Sequence, residues 1–252
     1  MPITADLSGT KALVTGASSE GLGRFFAEVL STAGSEVFVA ARRRSKLEEL
    51  VESIGRSGGK ASSVELDVTD CAQVANVMRD HGPFDIVVNN AGVSVAAPIL
   101  QQSEADYDLV MNTNLKGVWN IAKEATRSLK EAGKQGSIIN IASITGLRQA
   151  AAITPYAVSK AAVIHMTKQM ALEFARYGIR VNAIAPGYFE SDLTRDFFAT
   201  DEGRELIGRI PMKRPGNYES LIGPVLMFAD PGASFVTGAV LAVDGGHVLS
   251  TL

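Results

Sequence analysis

A single cysteine, Cys71, excludes any disulfide within this 252-residue chain. That fits a reducing compartment, and the expected location is the cytoplasm. No His or Lys lies beside Cys71 to activate it, so it reads as an inert thiol. No stretch reaches the ~18 apolar residues of a membrane span, so no membrane partner is expected. The first residues lack a basic segment followed by a long apolar run, so no signal peptide is read there. Charge of neither sign dominates: 24 Lys and Arg stand against 27 Asp and Glu. That balance gives no basic footprint for a nucleic acid. Repeats, low-complexity tracts and Pro/Gly/Ser linkers are absent as well, which predicts one domain over residues 1–252. No metal site is read from the sequence.

What is present is alternation. Short Val- and Ile-rich runs at Ala12–Thr15, Glu36–Ala40, Ala61–Glu65, Ile86–Asn89, Ser137–Ile141, Ile179–Ile184 and Val240–Val243 predict strands buried on both faces. Between them lie helical patterns at Arg24–Ala33, Ser45–Ile54, Glu104–Ala132 and Tyr156–Tyr177. Ser45 with Glu48 three residues on predicts a capping box. This order predicts an α/β fold of the Rossmann type: a doubly wound parallel sheet of about seven strands between two helical layers. The stretch 188–215 breaks the alternation and reads as a substrate-side lid.

The first strand runs directly into Gly16-Ala17-Ser18-Ser19-Glu20-Gly21-Leu22-Gly23 and then a helix. Glycines in such a turn let backbone N–H groups approach a pyrophosphate, and the helix N-terminus favours its charge. At the end of the second strand, no carboxylate follows Ala41 to bind ribose hydroxyls. Arg42, Arg43 and Arg44 stand there instead, unfavourable beside a helix N-terminus unless they meet a phosphate. The alternative is a solvated basic loop. NADP(H) is therefore the expected cofactor, with NAD(H) possible. Glu20 is a counter-signal, since an inward carboxylate would repel a 2′-phosphate. Farther along, Tyr156 and Lys160 are four apart and share a helix face. An ammonium ~5 Å from a phenol, at an effective dielectric of ~20, favours the phenolate by about 3 kcal/mol.

These segments together resemble the short-chain dehydrogenase/reductase family, in the manner of its 3-oxoacyl-carrier-protein and carbonyl reductases. The turn is similar to its Thr-Gly-x-x-x-Gly-x-Gly motif with one residue inserted around Glu20, which predicts a local bulge. The resemblance implies cofactor contacts from Gly16, Ser18, Ser19, Glu20, Gly21 and Leu22. It implies an adenine-binding pair at Asp67-Val68, although Asp67 also fits a turn. It places Asn90, Ala91 and Gly92 against the ribose. Pro186, Gly187, Phe189 and Ser191, resembling Pro-Gly-x-x-x-Thr, are implied to receive the nicotinamide. Ser143, thirteen residues before Tyr156, completes the family's Ser…Tyr-x-x-x-Lys pattern. Tyr156 is the implied acid/base and Ser143 the partner of the substrate oxygen. Lys160 is implied to lower the tyrosine pKa and hold the ribose, and Asn114 to support a water relay.

The implied reaction is hydride transfer between a small carbonyl or alcohol substrate and the nicotinamide. The alternatives are reduction of an activated carbon–carbon double bond, or dinucleotide binding without catalysis. Expected substrate walls are Ser94, Val95, Ile144, Leu147, Gln149, Tyr188, Phe189, Leu193, Phe197 and Phe198. They are largely apolar, with no Arg or Lys among them to clamp an anion. Long helices carrying Trp119, Ile164, Met166 and Met170 predict a homotetramer, with a dimer as the alternative.

Overall fold

A computed structural model describes residues 5–190 and 192–249. Seven parallel strands form one sheet: β1 (Lys11–Thr15), β2 (Glu36–Ala41), β3 (Ala61–Glu65), β4 (Ile86–Asn89), β5 (Gly136–Ile141), β6 (Ile179–Pro186) and β7 (Val240–Val243). Their spatial order is β3-β2-β1-β4-β5-β6-β7. The chain winds outward from β1, then returns to β4 and winds the other way. That reversal opens a crevice beyond the carboxyl ends of β1 and β4, where doubly wound sheets bind ligands.

Strand residues alternate between two cores. Ala12, Val14, Val37, Val39, Ile86, Val88, Ile139 and Ile141 pack into one core with Phe26, Leu30, Leu47, Leu50 and Phe228. Leu13, Phe38, Val87 and Ile138 join Val74, Phe84, Ile121, Leu129 and Val181 in the other. Successive strand side chains point to opposite faces, and here both faces are apolar because both are covered. The first core is closed by helices α1 (Leu22–Thr32) and α2 (Arg44–Arg56); the second by α3 (Cys71–His81). Each fully buried Leu or Phe contributes about 1.5–3 kcal/mol.

The helical pattern predicted over Glu104–Ala132 is divided. Helix α4 (Glu104–Met111) leads through a wide π turn, Asn112–Lys116, into α5 (Gly117–Glu131). The cause lies in Asn114, which is buried and spends its side chain on Val93: its Oδ1 accepts from Val93 N at 2.8 Å and its Nδ2 donates to Val93 O at 2.9 Å. The long helix α6 (Thr154–Phe174) follows β5. Its rotation is fixed from inside by a polar ladder. Asn89 Nδ2 donates to Asn140 Oδ1, and Asn140 Nδ2 donates to Thr167 Oγ1, both at 2.9 Å. Leaving any of these groups unpaired in the core would cost about 1–3 kcal/mol.

One further expectation needs correction. Helix α2 starts at Arg44 with no side-chain cap, so Ser45 lies inside it and makes no capping box. Glu48 is taken by Arg44, at 2.9 Å. The capping box is at Ser103 and Asp106, ahead of α4. Stretch 188–215 holds two helices, α7 (Asp192–Phe198) and α8 (Asp201–Arg209), and a last helix α9 (Ile222–Ala229) follows.

Candidate active site

A cleft of about 240 Å³ lies at the sheet reversal. Gly16, Ser18 and Ser19 line it at one wall, Arg42 and Arg43 at its end, and Asp67, Val68, Ala91 and Gly92 opposite. Gly16 has φ +70°, and a Cβ there would lie 2.7 Å from Ala91 Cα. Only glycine allows β1 and β4 to meet so closely at this point. Thr15 completes the junction: its Oγ1 accepts from the backbone N–H of Asn90 and Ala91, at 3.0 and 3.1 Å. Asn90 is not on the cleft wall; its Nδ2 donates to Thr15 O and Gly16 O and braces the turn.

Glu20, Gly21 and Leu22 also lie off the wall of this cleft. The inserted residue turns Glu20 outward, where its Oε1 accepts from Arg24 Nη1 at 2.7 Å and its side chain is 73% exposed. Arg43 spans the mouth: Nη2 donates to Ser18 O at 2.8 Å and Nε to Ser18 Oγ at 3.2 Å. Asp67 forms the turn that was its alternative reading, with Oδ1 accepting from Thr69 N and Thr69 Oγ1. The same residue still lines the cleft. Sequence reasoning passed over Thr113 and Val93, which line the cleft beside Gly92.

At the other end, β5 and α6 bring Ser143, Tyr156 and Lys160 together. Ser143 Oγ accepts from Thr145 N at 3.1 Å and from Thr145 Oγ1 at 2.9 Å. Both lone-pair directions are thereby used, which leaves the Ser143 O–H to donate. Burial pushes the Tyr156 phenol up, and the hydrogen bond with Ser143 opposes that. Lys160 is buried, its Nζ donates to Ile141 O at 2.7 Å, and it lies 5.6 Å from the Tyr156 ring centre. Burial lowers the lysine to about 8. Burial is the largest cause at Tyr156, and Lys160 is not among the groups that shift it. Asn114 and Lys160 converge beneath Gly92: a Cβ on that glycine would meet Asn114 Oδ1 at 3.3 Å and Lys160 Nζ at 3.6 Å. Ser159, unanticipated from sequence, joins the pair, accepting from Asn114 Nδ2 at 3.1 Å and donating to Tyr156 O at 2.7 Å.

Beyond β6, Gly187 N–H donates to Val243 O at 2.9 Å, and a Cβ on Gly187 would lie 2.7 Å from Asp244 Cβ. Pro186, the last residue of β6, pairs with Val243. Phe189 packs its ring on Gly216 and lines a cavity with Tyr188. Ser191 lies outside the described residues, as does the side chain of Leu193.

The residues expected as substrate walls do not all share one cavity. A cavity of about 560 Å³ beside Ser143 is lined by Ile144, Gln149 and Tyr188, as anticipated, but also by Arg148, Arg209 and His247. Ser94, Val95, Leu147, Phe197 and Phe198 do not line it. Arg148 was hidden between two residues that were named, and Arg209 reaches the cavity from the end of α8, far along the chain.

A seven-stranded doubly wound sheet, a glycine-walled cleft at its reversal and a Ser143–Tyr156–Lys160 cluster beside it define a dinucleotide-binding oxidoreductase. Residues 16–248 match the family model described as enoyl-(acyl carrier protein) reductase. The chain is 38% identical to gluconate 5-dehydrogenase of Gluconobacter oxydans, covering 99% of this chain and 98% of that protein. It is 37% identical to a 3-oxoacyl-acyl-carrier-protein reductase of Thermotoga maritima, covering 96% and 99%. Among solved structures, a gluconate 5-dehydrogenase of Burkholderia cenocepacia in complex with NADP and tartrate superposes with a TM-score of 0.91 at 35% identity, covering 98% of each chain. The chain belongs to the short-chain dehydrogenase/reductase family.

Proposed function

We propose that this protein interconverts a ketone or aldehyde with the corresponding alcohol, using NADP(H), as a single catalytic domain whose lid is residues 188–215. The observation that carries this reading is the Ser143–Tyr156–Lys160 cluster, with Lys160 Nζ beneath Gly92 on the wall of a cleft that Arg42 and Arg43 also line. The cleft residues fit a dinucleotide. Gly16, Ala91 and Gly92 leave its centre open, and Ser18 and Ser19 offer polar groups for phosphates. Arg42 and Arg43 fit a 2′-phosphate, and Asp67 an adenine amino group. Bound there, the nicotinamide supplies or accepts the hydride.

The chain's own residues handle the oxygen and the proton. In reduction, Ser143 O–H and Tyr156 O–H donate to the carbonyl oxygen, and Tyr156 passes its proton to that oxygen as it becomes an alcohol. Lys160 holds the ribose and stabilises the negative charge left on Tyr156. Asn114 supports the relay that restores the proton and fixes Val93 below it. Thr145 acts one step away, by orienting the Ser143 hydroxyl.

The family model's description favours a second reading, reduction of an activated carbon–carbon double bond. One ketone and its matching enone, each offered with NADPH, separate the two. Reduction of the ketone carbonyl is expected; product saturated only at the double bond would overturn the first reading. NADPH binding with no turnover of any ketone or alcohol would leave a binding protein.

A further inference from the structure

One buried hydroxyl links the reacting turn of α6 to the segment beneath the cleft. Ser159 stands on α6 between Tyr156 and Lys160 and has no exposed surface. Its Oγ donates to Tyr156 O at 2.7 Å and accepts from Asn114 Nδ2 at 3.1 Å. A serine inside a helix readily bonds the carbonyl one turn back. A backbone carbonyl can only accept, so the single Ser159 proton goes to Tyr156 O. Ser159 therefore turns a lone pair toward Asn114, and the amide must meet it with an N–H.

The other side of the amide is thereby assigned. Nδ2 has two N–H groups and spends the second on Val93 O at 2.9 Å, while Oδ1 accepts from Val93 N at 2.8 Å. Oδ1 also borders the space under Gly92 into which Lys160 Nζ reaches: a Cβ built on Gly92 would meet them at 3.3 and 3.6 Å. In this orientation the amide offers the negative end of its dipole to the space that holds the ammonium; turned over, it would offer N–H groups there.

Farther along α6, Thr167 supplies a comparison. It is equally buried, its Oγ1 donates to Val163 O at 2.8 Å, and it accepts from Asn140 Nδ2 at 2.9 Å. The two hydroxyls make the same kinds of bond, and only Ser159 makes them on the turn that carries Tyr156 and Lys160.

We infer that Ser159 is a positioning residue of the reacting site: its hydroxyl, directed by Tyr156 O, sets the orientation of the Asn114 amide beneath the cleft. It acts through Asn114 and not on the substrate. The inference rests on the hydride-transfer reading above.

The test measures kcat and KM with NADPH and a probe ketone, ethyl acetoacetate or 5-keto-D-gluconate. NADPH binding is read by fluorescence and stability by the urea midpoint. The variants are Ser159→Ala, Ser159→Cys, Asn114→Ala, Asn114→Ala/Ser159→Ala and Thr167→Val. Ser159→Ala leaves one Asn114 N–H without its partner, so kcat should fall roughly five- to fiftyfold while NADPH affinity stays within about twofold. Ser159→Cys fills the site with a weak donor and should lower kcat by at least about threefold; it decides the matter where the alanine variant does not fold. Adding Ser159→Ala to Asn114→Ala should cost less than about a further twofold, because the route through Asn114 is already gone. Thr167→Val should lower the midpoint and change kcat less than about twofold. Near-normal kcat in a folded Ser159→Ala would overturn the inference, as would losses that multiply in the double variant. An equal fall of kcat in Thr167→Val would overturn it too, since general packing of α6 would then account for both. A wild type that reduces a ketone beside an unaffected Ser159→Ala leaves hydride transfer standing and removes the positioning role. A wild type that turns over neither ketone, nor any alcohol, removes the hydride-transfer reading and this role with it.

Discussion

Replacing both arginines at the end of β2 with alanine should cost NADPH far more than NADH. Arg42 and Arg43 line the cleft, and Arg43 already reaches across it to Ser18. A hydrogen bond to a charged group contributes about 1.5–3 kcal/mol, or roughly ten- to more than a hundredfold in preference. Arg43 must share its fork with the Ser18 carbonyl, so its own contribution belongs at the lower end. Glu20 should matter little. It points outward into a pair with Arg24, which also donates to Glu28 at 3.1 Å. An unpaired charge ~10 Å away in water would contribute only about 0.4 kcal/mol, less after salt screening. The assay is kcat/KM for NADPH and NADH with one substrate in wild type, Arg42→Ala/Arg43→Ala, Ala41→Asp/Arg42→Ala and Glu20→Gln. Wild type should favour NADPH, the arginine variant should lose at least about tenfold of that ratio, Ala41→Asp/Arg42→Ala should shift toward NADH, and Glu20→Gln should move it less than about twofold. A wild type that prefers NADH would refute the reasoning, and so would a large gain in NADPH preference from Glu20→Gln alone.

Other outcomes follow from the same geometry. Tyr156→Phe should lower turnover by at least about a hundredfold while NADPH binding, read by fluorescence, is retained; near-normal turnover would remove Tyr156 as the acid. Thr145→Val should lower kcat by about three- to tenfold with little change in KM, because the backbone N–H remains to hold Ser143. Lys160 is buried with a pKa of about 8 against an ordinary 10.5, so the folded state binds fewer protons than the unfolded one between those values, and stability rises with pH across that window. Lys160→Met should therefore be inactive yet gain denaturation midpoint over wild type at pH 7, a gap that closes toward pH 10; a gap that widens with pH would refute this. Light scattering should show a homotetramer, or a dimer, and a mass near 26.6 kDa at micromolar concentration would rule both out.

The assembly prediction also changes in its residues. Ile164 and Met170, first read as interface candidates on α6, are core residues at 8% and 7% exposure. The apolar side chains left on the surface of α4, α5 and α6 are Tyr107, Leu109, Trp119, Val158 and Leu172. Lys123 covers part of Trp119, with its ammonium 4.7 Å from the ring centre. Helical spacing shows that a long helix has more than one apolar face; it does not say which face meets the sheet. That is decided by partners distant in sequence, such as the Thr167 hydroxyl taken up by Asn140.

The same division runs through the active site. The strands were legible because β1, β2, β4 and β5 are buried on both faces and therefore read as unbroken apolar runs. Gly16, Tyr156 and Lys160 were legible because their spacing lies within one turn, and Ser143 because its distance from Tyr156 resembles the family pattern. The outward turn of Glu20 was not, since it depends on the partner Arg24 one helical turn later. The arginines at the cavity beside Ser143 were still less so. Their placement requires the turn after β5, the end of α8 and the segment around His247 to meet, three pieces brought together only by the return of the chain over the sheet. The proposed dinucleotide cleft is built from residues fixed by the sheet itself, whereas the cavity beside Ser143 is built from segments distant in sequence. On the proposed function, changes in those segments should alter which carbonyl or alcohol is accepted, while Tyr156 and Lys160 keep the hydride chemistry.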